Sequence, residues 1–544
     1  MTEHQVRLGV DIGGTFTDVV LEAHGKSFST KVLTTYAAPE DAIIDGMKQV
    51  CAKAGIAPSA IGQVIHGTTL ATNALIERRG AKTALITTEG FRDVIEMRTE
   101  SRFEQYDLNL NLPEPLLPRQ SRFTVTERVN VRRDVLIPLN MEEVDQVINA
   151  IGERGYESVA IGLIHSYIYP DHEQMIRDRL QEKLPHVAVS ISSEVSPQMR
   201  EYERFNTVVA NAYIKPLMAS YLGRLEGRMQ AEGIMGRIFL MHSGGGIISI
   251  ESAAAFPVRL VESGPAGGAV FAAHIAARYN LDKVLSFDMG GTTAKICLIK
   301  NKTPKTSRVF EVARTYRFKK GSGMPISIPV IDMVEIGAGG GSLAHVDNLR
   351  QIRVGPESAG SEPGPACYGR GGERPAVTDA DLMMGKLDPD HFAGGSIKLY
   401  PEQSQHALDA HIGTPLGMPA DAMHRHPVGD HVILGSEADA AGKERCDGIA
   451  DMRAGKGHPE CVLAHAGAGG IGHFLRVDMK LRSGEVTKAA GMVVMKMSDD
   501  DVVNVTGGEP KRLDRLDRRT LDRAAPAFRL VIVIARIDHD HPLA

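Results

Sequence analysis

The stretch "GVDIGGTFTDVV", Gly9 to Val20, decides the fold. Upstream, "VRLGVDI" is apolar and β-branched; "GGT" is a turn; "FTDVVLEAHG" then alternates towards a second turn at Gly25. This pattern predicts a β-hairpin with Asp11 on the incoming strand and Thr15, Thr17 and Asp18 beyond the glycines. A P-loop or a dinucleotide fingerprint needs its glycines to open a helix, and neither G-x-x-x-x-G-K-[ST] nor G-x-G-x-x-G occurs. Both of those nucleotide sites are therefore disfavoured.

The same pattern returns in "VLSFDMGGTTAKICLIK", Val284 to Lys300, where Asp288-Met289-Gly290-Gly291-Thr292 matches Asp11-Ile12-Gly13-Gly14-Thr15 position for position. One such hairpin reads equally well as a tight turn with a satisfied aspartate, but a second copy points to shared chemistry. Glycines let backbone N–H groups approach an anion closely, and threonine hydroxyls add donors, which suits a polyphosphate. A carboxylate facing phosphate is repelled unless a cation lies between them or a proton is being removed. Mg²⁺, or Mn²⁺ in its place, prefers oxygen ligands and answers that need, with Asp11 and Asp288 as its ligands and catalytic carboxylates.

Length and composition bound the rest. A chain of 544 residues exceeds what one core organises, so two or more domains are expected. With 43% hydrophobic and 24% charged residues it reads as globular, and a formal charge of −5 supplies no field for nucleic acid or an anionic membrane. Five cysteines without C-x-x-C spacing argue against a disulfide framework or an iron–sulfur site and fit a reducing cytoplasm. The opening "MTEHQVRLGV" lacks a basic, then apolar, leader pattern, and no apolar run reaches membrane-span length, so a cytoplasmic protein is expected.

Along the chain, a helix is expected over Pro39 to Ala54, and "IGQVIHGTTLATNALIERRG" runs from strand into a short helix. Residues 141 to 190 alternate helix and strand as an α/β unit. His66 and Thr68 in "HGTT" are candidates to meet a substrate, with a hydrogen-bonded structural histidine as the alternative. Arg92, Arg98 and Arg102 are candidates to recognise a carboxylate or a cyclic imide, against the reading of a charged helix face. "HSYIYPDHE", with His165 and His172, is a weak metal candidate beside a structural reading.

The chain resembles the hydantoinase/oxoprolinase A family within the sugar kinase, heat-shock-70 and actin superfamily of ATPases. The resemblance rests on the two hairpins, "HGTTLATNALIERRGAKTALITTEGFRDVIEMRTE", "SSEVSPQMREYERFNTVVANAYIKP", "HSGGGIISIESAAAFPVRLVESGPAGG", "EIGAGGGSLAHVD" and "VGPESAGSEPGPACYGRGGERPAVTDADL". It implies an α/β fold with two actin- or hexokinase-like, ribonuclease-H-type lobes flanking an ATP cleft. The expected divisions are an N-terminal ATPase lobe over 1–190, a second lobe over 191–417 and an atypical tail over 418–544. On this resemblance Gly13, Gly14, Thr15 and Thr17 hold one side of the ATP phosphates and Gly290, Gly291, Thr292 and Thr293 the other. Gly339, Gly340, Gly341 and Ser342 form a turn against which the nucleoside packs.

The implied activity is ATP-dependent phosphorylation of an amide or carbonyl oxygen for hydrolysis of a cyclic amide, such as 5-oxoproline or an N-methylhydantoin, in a hetero-oligomer with a B-type hydantoinase subunit. An acetone or acetophenone carboxylase-type subunit acting on a ketone shares these motifs, and a non-catalytic remodelling ATPase is the reading from another class. After Gly417 the resemblance fades. Ten of the twenty histidines fall in residues 401 to 544, and "RLDRLDRRTLDR" has poor apolar periodicity, as in an out-of-frame or foreign segment. The expectation is that this tail does not pack as the family's last domain and leaves the second lobe incomplete.

Overall fold

The computed structural model describes residues 6–13, 16–35, 38–99, 102–291, 293–314, 320–336, 339–360, 362–392, 395, 397–418 and the backbone of three strands beyond them. The chain forms two units that interleave in sequence. One comprises Met1–Ala60, Gly267–Lys305 and Asp332–Ala544, the other Ile61–Ala266 and Thr306–Ile331.

The first unit opens on β1 (Val6–Ile12), β2 (Phe16–Ala23) and β3 (Lys26–Leu33), an antiparallel meander. Alternation buries Leu8, Val10 and Ile12 on β1 and Val19, Leu21 and Ala23 on β2. Helix α1 (Pro39–Ala54) begins with Pro39 in its first turn, carries Glu40 and Asp41 near its positive end and stops at Gly55 in the left-handed conformation. Its Ile43, Ile44, Met47 and Val50 are buried. A Cβ on Gly46 would lie 2.5 Å from Val19 Cγ2, so the helix crosses the strands where it has no side chain.

The later hairpin, Lys283–Met289 and Ala294–Lys300, belongs to the same unit and pairs through Ala294–Cys297 with the strand Met333–Ile336. Of the tail, three strands are described by their backbone. Arg529–Ile534 runs parallel to Lys283–Met289 and to Glu460–Ala466, which pairs antiparallel with Gly472–Asp478. The rest of the tail, including "RLDRLDRRTLDR", lies outside the described residues.

The second unit holds a parallel four-stranded sheet in the order Ala188–Ile191, Ser158–Gly162, Thr83–Thr88, Arg122–Val125. Helices Met141–Glu153 and Asp171–Lys183 supply the alternation expected of residues 141 to 190 and share its core through Val144, Ile148, Ile176 and Leu180. Parallel strands whose faces are both covered read as continuous apolar runs, and Ser158–Gly162 is buried throughout. A 31-residue helix, Glu201–Ala231, buries Phe205, Val208, Val209 and Ile214.

Asp379, wholly buried in the first unit, organises residues 366 to 404. Its carboxylate accepts hydrogen bonds from the N–H groups of Ala366 (3.1 Å), Cys367 (2.7 Å) and Ala376 (2.8 Å) and from Ser404 Oγ (2.7 Å). Asp379→Ala leaves four donors without an acceptor, and a loss of about 3 kcal/mol or more is expected. Equilibrium urea unfolding checks this: the midpoint should fall while the slope stays constant.

Candidate functional site

The two glycine hairpins have one geometry. In the first, Asp11 faces Asp18, Ile12 faces Thr17, and Gly13 N–H donates to Phe16 O at 2.9 Å. In the second, Asp288 faces Lys295, Met289 faces Ala294, and Gly290 N–H donates to Thr293 O at 2.9 Å. Each aspartate thus stands two residues before the glycine that closes the turn. A Cβ on Gly13 would come within 3.1 Å of Phe16 O, tight enough to disturb that closure. Gly14, Thr15 and Thr292 lie outside the described residues, while Gly291 is exposed at the turn and Thr293 half-buried.

The hairpins bring Asp11, Asp18, Asp288 and Lys31 into one electrostatic neighbourhood. Crowding by protein, then the Asp18 and Asp288 carboxylates, push the Asp11 carboxyl up to about 7, against a smaller lowering by Lys31. Asp11 keeps solvent contact, which discounts the burial contribution, but the two carboxylates act in the same direction. Asp18 Oδ2 accepts from Lys31 Nζ at 2.6 Å, while its Oδ1 is buried with no hydrogen-bond partner. Carboxylates within electrostatic reach of one another and an orphaned carboxylate oxygen would suit a hard divalent cation. Among the described residues no three His, Cys, Asp or Glu side chains close on one point, so such an ion would take its other ligands from water and phosphate.

Thr17 does not present its hydroxyl to the turn's open side. It is fully buried, 3.0 Å from Thr34 Oγ1, and Thr34 in turn donates to Gly13 O at 3.0 Å. Phe16 packs edge-on against Phe392, which also meets Tyr368. The first turn is therefore braced by Thr34 on one side and by the Asp379-centred segment on the other.

The second turn is braced by the glycine-rich loop. Gly340 N–H donates to Gly290 O at 2.9 Å and Gly341 N–H to Gly291 O at 2.7 Å. Gly339 N–H goes to Ser342 Oγ and Ser342 N–H to Gly339 O, both at 3.0 Å. The N–H groups of Gly339, Gly340, Gly341 and Ser342 are thus all committed within the protein. A Cβ on Gly341 would meet Gly291 O and Ser358 Oγ at 2.9 Å, and one on Gly340 would meet Thr378 Oγ1 at 2.8 Å.

The substrate candidates lie in the second unit. His66 is fully buried with Nε2 2.8 Å from Tyr221 OH, the geometry of a structural histidine. Thr68, also buried, exchanges bonds with Ser263 Oγ. Arg92 is half-buried beside Asp93, and Arg98 reaches Pro113 O. His172 pairs its Nδ1 with buried Glu127 at 2.9 Å, and Gly246 of "SGGG" faces the His242 ring so closely that a Cβ would lie 2.5 Å from Nε2. Asp18, Lys31, Thr34 and Asp379 had no assigned role in the sequence reading. The repeat alignment carried a signal for one of them, since Asp18 takes the place that Lys295 occupies in the second copy.

Asp11 has a measurable consequence. A carboxyl whose folded-state value exceeds the unfolded value of about 3.9 keeps its proton longer in the fold, so stability falls as pH rises from about 4 to about 7 and levels off above. Asp11→Asn should therefore raise the melting temperature most at pH 8, with the gain shrinking towards pH 4. Thermal unfolding without nucleotide or divalent ions, scanned across that range, checks the sign.

A hydantoinase/oxoprolinase N-terminal region matches residues 7–184 and a hydantoinase/oxoprolinase domain matches 204–479, so the match runs past Gly417. Caprolactamase subunit alpha of Pseudomonas jessenii is 33% identical over 92% of this chain and 68% of its own length. The crystal structure of that ATP-dependent enzyme superposes with a TM-score of 0.66 at 34% identity, over 79% of this chain and 62% of its own. A nucleotide-free acetone carboxylase structure gives 0.67 at 26% identity, over 83% and 64%. 5-Oxoprolinase 1 of Arabidopsis thaliana is 30% identical over 72% of this chain. The chain spans about a third of that last protein and a little under or over two thirds of the others. Two matched domains, a shared mixed α/β fold and a duplicated Asp-x-Gly-Gly-Thr hairpin together make this chain a member of the hydantoinase/oxoprolinase family.

Proposed function

We propose that the chain is the ATP-using subunit of a cyclic amide hydrolase, of 5-oxoprolinase or hydantoinase type, that transfers the γ-phosphoryl group of ATP to the amide oxygen. The observation that carries this is the convergence of the two hairpins within one unit, which sets Asp11 and Asp288 in electrostatic contact beside two glycine turns. An amide oxygen is a poor leaving group, and phosphorylation turns it into a good one. As it attacks phosphorus and ADP departs, the work is positioning and charge neutralisation. Asp11 and Asp288 would hold Mg²⁺, which offsets charge on the phosphates. Gly13, Gly290 and Gly291 keep side chains out of the space the phosphates need, and Thr17 and Gly339–Ser342 hold the turns in shape. The sequence carries no G-x-S-x-G elbow or H-E-x-x-H pair, so ring opening falls to a B-type partner subunit.

A ketone-activating reading has one observation behind it: acetone carboxylase superposes as well as caprolactamase does. Its oxygen acceptor differs, but the phosphoryl-transfer apparatus would be the same.

The test is ADP release by the full chain, with and without a B-type subunit, in the presence of 5-oxoproline, caprolactam, hydantoin or acetone. A cyclic amide should stimulate release, EDTA should abolish it, and ring-opened product should appear with the partner present. Asp11→Asn and Asp288→Asn should each cut turnover by about 10²-fold or more with unchanged circular dichroism. Near-normal turnover in either variant sinks the reading.

A further inference from the structure

The two hairpins differ in the row of charges that crosses each of them. Asp11 faces Asp18, and Asp18 faces Lys31 on the next strand, so the three residues form one row on one face of the sheet. The equivalent row of the second hairpin is Asp288, Lys295 and Glu335. The middle place thus holds a carboxylate in one copy and an ammonium group in the other. Asp288 has a cation facing it in the ladder, and Asp11 has a second anion. Among the charges acting on Asp11, that of Asp18 is the largest and that of Asp288 comes next.

Asp18 is held in a way that a structural ion pair does not require. Its Oδ2 accepts from Lys31 Nζ at 2.6 Å, and the lysine also lies over the Phe16 ring, 5.1 Å from its centroid. Oδ1 is buried and has no hydrogen-bond partner. A counter-ion for Lys31 needs one oxygen and is most stable with the other in water, whereas an oxygen shut off from donors carries the cost of its lost hydration. A cation in the place of the missing donor offsets that cost. The spacing suits one, because facing Cβ atoms in an antiparallel ladder stand about 4.5–5.5 Å apart. Two neighbouring oxygens on one octahedral Mg²⁺, each about 2.1 Å from the ion, stand about 3 Å apart, within reach of carboxylates so placed.

We propose that Asp18 is a ligand of the divalent cation through Oδ1, alongside Asp11, so that the ion is seated on the first hairpin while Asp288 acts on it at longer range. This rests on the phosphoryl-transfer reading above, in which the same ion offsets charge on the phosphates. Lys31 holds Oδ2 and leaves Oδ1 to the ion. Lys295 gives Asp288 a counter-charge within the protein; Asp11 has none in the facing place of its ladder, and a divalent ion supplies it.

Mn²⁺ binding to the full chain in the presence of ADP, followed by loss of the free ion's paramagnetic resonance signal, tests this without turnover. Asp18→Asn should weaken Mn²⁺ binding by about tenfold or more. Asp18→Glu, which keeps the charge and the lysine partner but moves the oxygens, should weaken it severalfold and carries the test if the asparagine variant does not fold. Lys31→Met should leave Mn²⁺ affinity unchanged or tighten it, because it removes only a competing cation. Glu335→Gln, a carboxylate deleted at the outer end of the second row, should leave it unchanged. Unchanged affinity in Asp18→Asn, no Mn²⁺ binding by the natural chain, or equal weakening in Asp18→Asn and Lys31→Met overturns the proposal and makes Asp18 a counter-ion of Lys31. A cyclic amide that stimulates ADP release, with Mn²⁺ affinity indifferent to every change at Asp18, overturns it while sparing the phosphoryl-transfer reading. An Asp18-dependent Mn²⁺ site in a chain whose ADP release no cyclic amide stimulates keeps the cation site and overturns that reading instead.

Discussion

The contact between Gly341 N–H and Gly291 O, at 2.7 Å, is the constraint on which the candidate site depends. Two backbones can approach that closely where neither carries a side chain, and a Cβ on Gly341 would strike Gly291 O itself. The stitch fixes the second glycine turn, and through the ladder of that hairpin it fixes Asp288. The first turn is held by other means, with Thr34 bridging Thr17 to Gly13 O and Phe16 seated against Phe392. Each brace uses residues remote in sequence.

The duplication is geometric, but its electrostatics are not duplicated. Asp288 has Lys295 across the ladder, whereas Asp11 has Asp18 there, itself paired with Lys31 on the next strand. Burial, and then the like charges of Asp18 and Asp288, raise the Asp11 carboxyl, while Asp18 keeps one oxygen without a donor. The two hairpins are thus chemically distinct, one with a lysine across the ladder from its aspartate and the other with a second aspartate. Such pairs, with environments driving carboxyls apart, are what acid–base and metal chemistry require.

The second unit shows how a charge can be buried for different reasons. The Glu173–Arg204 network pairs both carboxylate oxygens and all three guanidinium nitrogens, using Ser192 Oγ, the N–H groups of Leu163 and Ser193, and the carbonyls of Gln198 and Leu163. His66 Nε2 lies 2.8 Å from Tyr221 OH and His172 Nδ1 lies 2.9 Å from Glu127. The partner of an isolated histidine comes from another element, 155 residues away in the case of His66, and is not legible from its neighbours in sequence.

By itself the sequence determined the hairpins, their equivalence, the helix Pro39–Ala54, the α/β alternation after residue 141 and the family, because turn glycines, apolar period and local motifs are properties of neighbours in the chain. It singled out Asp11 and Asp288 for the same reason. Tertiary structure alone decided that Asp11 meets Asp18 and Lys31, that Thr17 faces inward, that Gly340 and Gly341 spend their N–H groups on a hairpin tip, and that Arg98 Nε and Nη1 are buried without a hydrogen-bond partner. Those facts depend on which backbones and charges are brought within a few ångströms of each other by packing, and spacing along the chain does not encode that distance.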